Sequence, residues 1–148
     1  MNTLEKPYGF KLRFMSKIFK HAVKEECAKK GIKATFSNVI MCIACCEDGV
    51  SQNDICEYSH LAKPTISLTL KEMEALGYIT REQSSEDNRK TIVKLTDLGK
   101  EIDIQIRECF HLVEERMIKN ISNDDLEYFN NILEAMRKNL QEGKDKTE

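Results

Sequence analysis

The chain has 148 residues, of which 41% are hydrophobic and 32% charged, and its formal net charge is −2 at pH 7. This length is enough for one domain with a buried core, and no apolar run approaches the roughly 18 residues that would span a membrane. The near-neutral charge excludes indiscriminate nucleic-acid binding, so any DNA contact depends on local basic positions. No secretory signal pattern begins the chain, and we expect a cytoplasmic protein.

The first predicted element is an amphipathic helix over residues 8 to 30, which Gly31 ends. Its apolar arc exceeds half the helix circumference, whereas a helix that only caps a monomer core shows a narrower stripe. We therefore expect this helix to serve both its own core and a partner, with burial inside a monomer as the alternative. The arc consists of Tyr8, Leu12, Phe14, Met15, Ile18, Phe19 and Ala22.

Three shorter helices are predicted next. Thr35 is the expected N-cap of a second helix that reaches about Cys46, and Ser51 is the expected N-cap of a third. Pro64 suits the first turn of a fourth helix, which Gly77 terminates. The third and fourth helices, joined by a tight turn, have the outline of a helix-turn-helix. The side of the fourth helix expected to face inward consists of Ile66, Leu70 and Met73.

A hairpin and two further helices complete the chain. The segments 78–83 and 90–95 are rich in β-branched and aromatic residues, and the polar loop between them has turn chemistry. A long helix is predicted from a Thr96 cap to about Asn120, and Ser122 caps the last helix. The apolar stripe of that last helix consists of Leu126, Phe129, Leu133, Met136 and Leu140.

The six cysteines indicate a reducing compartment rather than a disulfide framework, because three of them lie inside an apolar run that is typical of a buried helix. Those three are Cys42, Cys45 and Cys46. We predict that they are packed core thiols, since a metal site would need a fourth ligand that the sequence does not identify. Cys27 has Lys24 and Lys30 one helical turn away, which would lower its pKa if it is exposed.

Two segments carry a resemblance to a known family. "PTISLTLKEMEALGYITR" resembles the recognition helix and first wing strand of MarR-type transcriptional regulators, and "DNRKTIVKLTDLG" resembles their wing signature. The resemblance implies a mainly α fold with a small β-hairpin, in a single domain over residues 1–148. Its winged helix-turn-helix would occupy about 35–99, between dimerisation helices at about 8–30 and 100–141. It further implies a homodimeric, sequence-specific DNA-binding transcriptional repressor on a pseudo-palindromic operator.

The same segments give candidate contacts to double-stranded DNA. At the hairpin tip, Asp87 is placed to orient the guanidinium of Arg89 so that it enters the minor groove. The alternative is an ordinary solvated turn. The wing candidates are Asp87, Asn88, Arg89 and Lys90. The recognition-helix candidates are Lys63 and Lys71 for phosphates, Thr65 and Ser67 for phosphates or base edges, and Leu68 for a thymine methyl group. Backbone contacts are expected from Ser51 and His60.

The resemblance also implies a small aromatic or phenolic effector, for which Arg13, Lys17 and His21 are the candidate pocket residues. No cofactor and no metal are expected. The sequence lacks the HExxH, GxSxG, GxxxxGK and paired CxxC motifs, so we predict that the protein is not an enzyme. The alternative functions are a thiol-based redox or metal sensor on the same fold, and a winged-helix module that binds protein.

Overall fold

A computed structural model of the chain describes residues 7–59, 61–84 and 90–142. These residues form helices and a small sheet in the predicted order. The helices are α1 (Tyr8–Lys29), α2 (Ala34–Ala44), α3 (Gln52–Ser59), α4 (Lys63–Ala75), α5 (Asp97–Ile118) and α6 (Asn123–Glu142). The strands are β1 (Val50–Ser51), β2 (Ile79–Gln83) and β3 (Thr91–Leu95). The mainly α fold class with a β-hairpin is confirmed.

The sheet is antiparallel with strand order β1-β3-β2. In the predicted hairpin, Ile79 pairs with Leu95 at one end and Gln83 with Thr91 at the other. The third strand was not predicted, because two residues are too few to show the alternation that marks a strand. It adds a strand to the open edge of β3 and links the hairpin to the start of α3.

One hydrophobic core holds the first compact unit, which ends at Val113, and a second unit begins at Glu114. The inward face predicted for α4 is confirmed, because Ile66, Leu70 and Met73 are fully buried. Every element of the first unit contributes to this core, including the buried residues Val23, Cys27, Phe36, Ile40, Ile55, Ile79, Val93 and Ile106. Among the described helices none is long and apolar enough to cross a bilayer.

Three predicted N-caps are present. The hydroxyl oxygens of Ser51, Thr96 and Ser122 each accept a hydrogen bond from the backbone N–H three residues later, which satisfies an amide that the helix itself leaves unpaired. The donor-to-oxygen distances are 3.2 Å from Asp54, 3.0 Å from Gly99 and 3.1 Å from Asp125. These caps fix the starts of α3, α5 and α6.

The predicted boundaries of α2 were wrong at both ends. Lys33 rather than Thr35 is its N-cap residue, and the helix ends at Ala44, short of Cys46. Tertiary contacts hold Lys33 in place: its Nζ lies 2.7 Å from Oε2 of Glu72 and 5.2 Å from the ring centre of Phe36. These contacts between distant parts of the chain outweigh the local capping preference of threonine.

The joint between the hairpin and α5 is closely packed. The N–H of Thr96 donates to the carbonyl of Tyr78 at 3.0 Å, and its hydroxyl donates to the carbonyl of Gly77 at 2.6 Å. A Cβ atom at Gly99 would lie 2.0 Å from the carbonyl oxygen of Tyr78. This close approach explains why a glycine follows the threonine cap, and it fixes the base of the hairpin against α5.

Candidate nucleic-acid interface

Helices α3 and α4 form the predicted helix-turn-helix, and burial decides which face of α4 turns outward. Ile66 and Leu70 are inaccessible to solvent, as is Ile55 on α3. Because the inward residues of α4 fill the core, rotation of the helix about its axis would expose them and cost several kcal/mol, at ~1.5–3 kcal/mol for each large side chain. The outward face is therefore fixed by the packing of the inward one.

The outward face of α4 carries most of the predicted recognition residues. Lys63, Thr65 and Lys71 are exposed, and Leu68 is 61% exposed. Ser67 is half-buried and lies at the border of this face. An exposed leucine flanked by lysines and a threonine has the chemistry to meet a thymine methyl group between phosphate contacts.

The N-terminal end of α4 is open to an anion. Its N-cap residue is Ala62, which has no side-chain oxygen to cap the amides of the first turn, and that turn has no acidic residue. Uncapped amides and the positive end of the helix dipole favour phosphate at this position. Lys63 adds a positive charge to the same end of the helix.

Two ion pairs hold α4 against its neighbours, and the sequence alone did not reveal them. Lys33, before α2, contacts Glu72 at 2.7 Å, and Arg81 of β2 pairs with Glu74 through its Nε at 2.9 Å. The hydrogen bond from Arg81 lowers the pKa of Glu74 from its ordinary value. The second pair joins α4 directly to a strand of the hairpin.

The stem of the predicted wing is present. Beyond the pair of Gln83 and Thr91, the N–H of Ser84 donates to the carbonyl of Lys90 at 2.9 Å, and Lys90 is exposed. The predicted tip contacts Asp87, Asn88 and Arg89 lie outside the described residues, as does the backbone candidate His60. Their roles stay predictions.

Ser51 has a structural role that its predicted DNA contact did not take into account. It is buried, and its hydroxyl both caps α3 and donates to Oδ2 of Asp54 at 2.6 Å. Since the hydroxyl is occupied within the fold, the structure disfavours a phosphate contact through this side chain.

The candidate effector residues fall into two groups: Arg13 and Lys17 line one groove, and His21 pairs with a carboxylate. Arg13 and Lys17 are exposed and line a groove along α1 with Phe10 and Phe14. His21 is exposed and its Nε2 lies 3.4 Å from a carboxylate oxygen of Glu25.

A separate cleft of about 200 Å³ lies between α1, α2 and α5. It combines an aromatic wall with two ammonium groups and two small polar side chains, which is a suitable lining for a small aromatic anion. Sequence reasoning missed it because its residues come from three helices. They are Lys20, Val23, Lys24, Ala34, Ser37, Asn38 and Phe110.

The structure decides the exposure of the thiols that the sequence left open or predicted to be buried. Cys27 is fully buried, so the condition for a lowered pKa is not met; burial, with the neighbouring thiol of Cys109, raises its pKa to about 11. It therefore lacks the exposure and the lowered pKa of a reactive thiol. Conversely, Cys45 and Cys46 are exposed rather than packed in the core, because α2 ends before them, and Cys42 is half-buried.

Comparisons with known proteins agree with this geometry. The MarR family model matches residues 45–90, from the residue after α2 to the residue before β3. An uncharacterized HTH-type transcriptional regulator of Bacillus subtilis, YdgJ, is 32% identical over 94 residues. That alignment covers 63% of this chain and 57% of the relative, so the chain spans little more than half the length of that curated protein.

Solved structures extend the likeness of fold beyond that segment. Wild-type MarR of E. coli in its apo form superposes with a TM-score of 0.81 at 18% identity, over 88% of this chain and 96% of that one. The MepR–DNA complex of S. aureus gives 0.72 at 22% identity, over 91% and 99%. MepR is named as a transcription regulator. By these comparisons the chain has the winged helix-turn-helix fold of these structures and is similar to the MarR family over residues 45–90.

Proposed function

We propose that the protein is a homodimeric, sequence-specific DNA-binding transcriptional repressor that responds to a small aromatic or phenolic effector. The observation that carries the proposal is the outward face of α4, where Lys63, Thr65, Leu68 and Lys71 stand exposed on a helix whose other side is locked into the core. One S. aureus neighbour, MepR, is described in complex with DNA, which supports the same use of the fold here.

The DNA contacts divide by chemistry. Lys63 and Lys71 would bind phosphates and set the register of α4, while Leu68 and Thr65 would contact base edges in the major groove. Arg89, between the two strands of the hairpin, would contact the neighbouring minor groove in the manner of a winged helix. Two copies on a two-fold axis would match a pseudo-palindromic operator.

Exposed apolar faces support a dimer. On α1, Tyr8, Leu12, Met15 and Ile18 are 44% to 72% exposed, a stripe too apolar to leave in water. Helix α6, taken by itself, buries none of its residues although it carries five apolar side chains at helical spacing. A second copy of the chain would cover surfaces of this kind.

The test of DNA binding begins with a selection of bound fragments from genomic DNA, since no operator is assumed. Fluorescence anisotropy on a selected duplex then compares the wild type with Lys71→Ala and Arg89→Ala. The first variant should weaken binding and reduce the salt slope by about 1, and the second should cost ~1–3 kcal/mol. Lys119→Ala, at an exposed lysine after α5, is the matched control.

An empty selection would contradict the proposal and favour a winged module that binds protein. Equal losses for Lys71→Ala and Lys119→Ala would show that the binding is only electrostatic and does not use α4.

The effector is tested separately. We propose that the cleft beside Lys20, Lys24 and Phe110 binds it, because the two ammonium groups and the ring suit an aromatic carboxylate. Benzoate, added to the protein–DNA complex, should lower the anisotropy in the wild type and act more weakly on Lys24→Ala. Loss of the benzoate response in Lys17→Ala instead would place the effector in the groove that the sequence predicted.

A further inference from the structure

Two adjacent thiols are exposed in the turn that joins α2 to β1. Helix α2 ends at Ala44, and Cys45 and Cys46 follow it directly. Cys45 keeps helical backbone angles, and the N–H of Cys46 donates to the carbonyl of Ile43 at 3.1 Å. The two thiols therefore lie at the very end of the helix, where the side chains are free to rotate into the solvent.

The backbone of this turn is held firmly against the hairpin. The N–H of Gly49 donates to the carbonyl of Cys46 at 3.0 Å, which closes the turn. Gly49 itself has a φ of +92°, and a Cβ atom there would lie 2.7 Å from the side chains of Ile92 and Lys94 on β3. The thiols are thus displayed from a fixed turn that rests on a strand of the wing.

Charged groups and open space surround the pair. Cys46 lines a cleft of about 430 Å³ together with Lys94, Lys100 and Asp103. Oδ2 of Asp103 accepts a hydrogen bond from Nε of Arg107 at 2.8 Å, and its buried Oδ1 has no partner among the described residues. A molecule attached to the Cys46 sulfur has room to occupy this cleft.

The number of thiols decides which ligand suits the site. No group of three or more His, Cys, Asp or Glu side chains within the described ranges is arranged to hold a metal ion. A trivalent organoarsenical needs only two sulfur ligands, because its third bond is to carbon. We propose that Cys45 and Cys46 form a dithiol site for trivalent organoarsenicals.

The reaction balances without an oxidant. In phenylarsine oxide the arsenic–oxygen double bond breaks, both sulfur–hydrogen bonds break, and arsenic forms one bond to each of the two sulfur atoms. The two thiol protons leave with the oxygen as one molecule of water. Arsenic stays trivalent and neither sulfur is oxidised.

The other thiols are poorer partners for this reaction. Cys27 and Cys109 are buried. Cys42 lies near Cys45 and Cys46 but is half-buried, and burial, followed by the charges of those two thiols, raises its pKa. Cys56 is half-buried on α3, in a different element from the pair. Only Cys45 and Cys46 are both exposed and adjacent in sequence, so closure of the second arsenic–sulfur bond is intramolecular and strengthens binding by about 10²-fold or more.

The test uses phenylarsine oxide on the reduced full chain, followed by intact-protein mass spectrometry. The wild type should take up a single adduct that survives excess 2-mercaptoethanol and is removed by 2,3-dimercaptopropanol, since only a dithiol competes with a chelate. Cys45→Ser and Cys46→Ser should each lose the stable adduct, with an affinity about 10²-fold weaker. Cys42→Ser and Cys56→Ser are the matched controls and should keep it.

Two results would overturn the proposal: an adduct that 2-mercaptoethanol removes from the wild type, or a stable adduct that persists in Cys46→Ser. Circular dichroism of each variant checks that the fold is intact. The readout involves no DNA, so the proposal stands or falls independently of the proposed repressor function.

Discussion

Helices α4 and α6 carry apolar residues at the same helical spacing, yet those of α4 are buried and those of α6 are largely exposed. Ile66, Leu70 and Met73 of α4 are inaccessible to solvent. On α6, by contrast, Phe129 is 50% exposed and Leu140 is 77% exposed, and the helix has no buried residue. Periodicity therefore identifies an apolar face but not what covers it: the face of α4 is buried within the chain, whereas the face of α6 is exposed.

The largest expected effect on stability comes from truncating a buried rather than an exposed leucine of α4. Leu70→Ala should lower the free energy of unfolding by ~2–5 kcal/mol, because it removes a fully buried side chain and leaves a cavity. Leu68→Ala, two positions away at 61% exposure, should change it by less than ~0.5 kcal/mol. Urea unfolding followed by circular dichroism measures both. A similar loss in the two variants would contradict the assigned orientation of the helix.

The apolar stripe of α1 gives the next largest effect. Leu12→Glu combined with Met15→Glu places two charges on the face that we propose to be covered by a second copy, and the dimer dissociation constant should rise about 10²-fold or more. Ser16→Glu adds a charge to an exposed polar position of the same helix and serves as the control. Sedimentation equilibrium measures both constants, and an unchanged mass in the double variant would count against the interface.

The buried thiol of Cys27 makes stability depend on alkaline pH. Its pKa is raised from 9.0 to about 11, so the folded state keeps the proton that the unfolded state releases. The stabilisation is complete below pH 9 and is lost between pH 9 and about 11, at a rate that approaches ~1.4 kcal/mol per pH unit.

Urea titrations at pH 8 and pH 10 test this, with Cys27→Ala as the variant that lacks the thiol. The wild type should lose more stability between the two pH values than the variant does. Equal losses would mean that the thiol is not protonated preferentially in the folded state.

The ion pair of Arg81 and Glu74 gives the smallest effect on stability, because both side chains are partly solvated. The pKa of Glu74 is lowered, so the pair stabilises the fold above the ordinary pKa of the carboxyl group and this contribution is lost as the pH falls below 4.5. Arg81→Ala should therefore change the unfolding midpoint slightly at pH 7 and not at pH 3. The same difference at both values would show that the lost packing, rather than the charge, matters.

The caps show what the sequence could predict. Ser51, Thr96 and Ser122 form their hydrogen bonds within three residues, so local chemistry is enough to place the starts of three helices. Gly77 likewise ends α4 with a positive φ of +74°. The inward face of α4 was also predictable, since its spacing repeats over two turns.

The features that were not predicted depend on distant contacts. Lys33 displaces Thr35 as the N-cap because it meets Glu72 on another helix. Cys45 and Cys46 are exposed only because α2 stops early, and the effector cleft combines side chains from α1, α2 and α5. No local sequence pattern predicts contacts between residues that are distant along the chain.

The central claim is that α4 contacts DNA and that the exposed apolar faces of α1 and α6 join two chains. Sedimentation velocity on one labelled duplex from the selection tests both parts together. We predict that two chains bind each duplex and that no one-chain complex accumulates. Leu68→Ala should weaken this complex without changing its stoichiometry. A one-chain complex, or no complex on any selected duplex, would contradict the account.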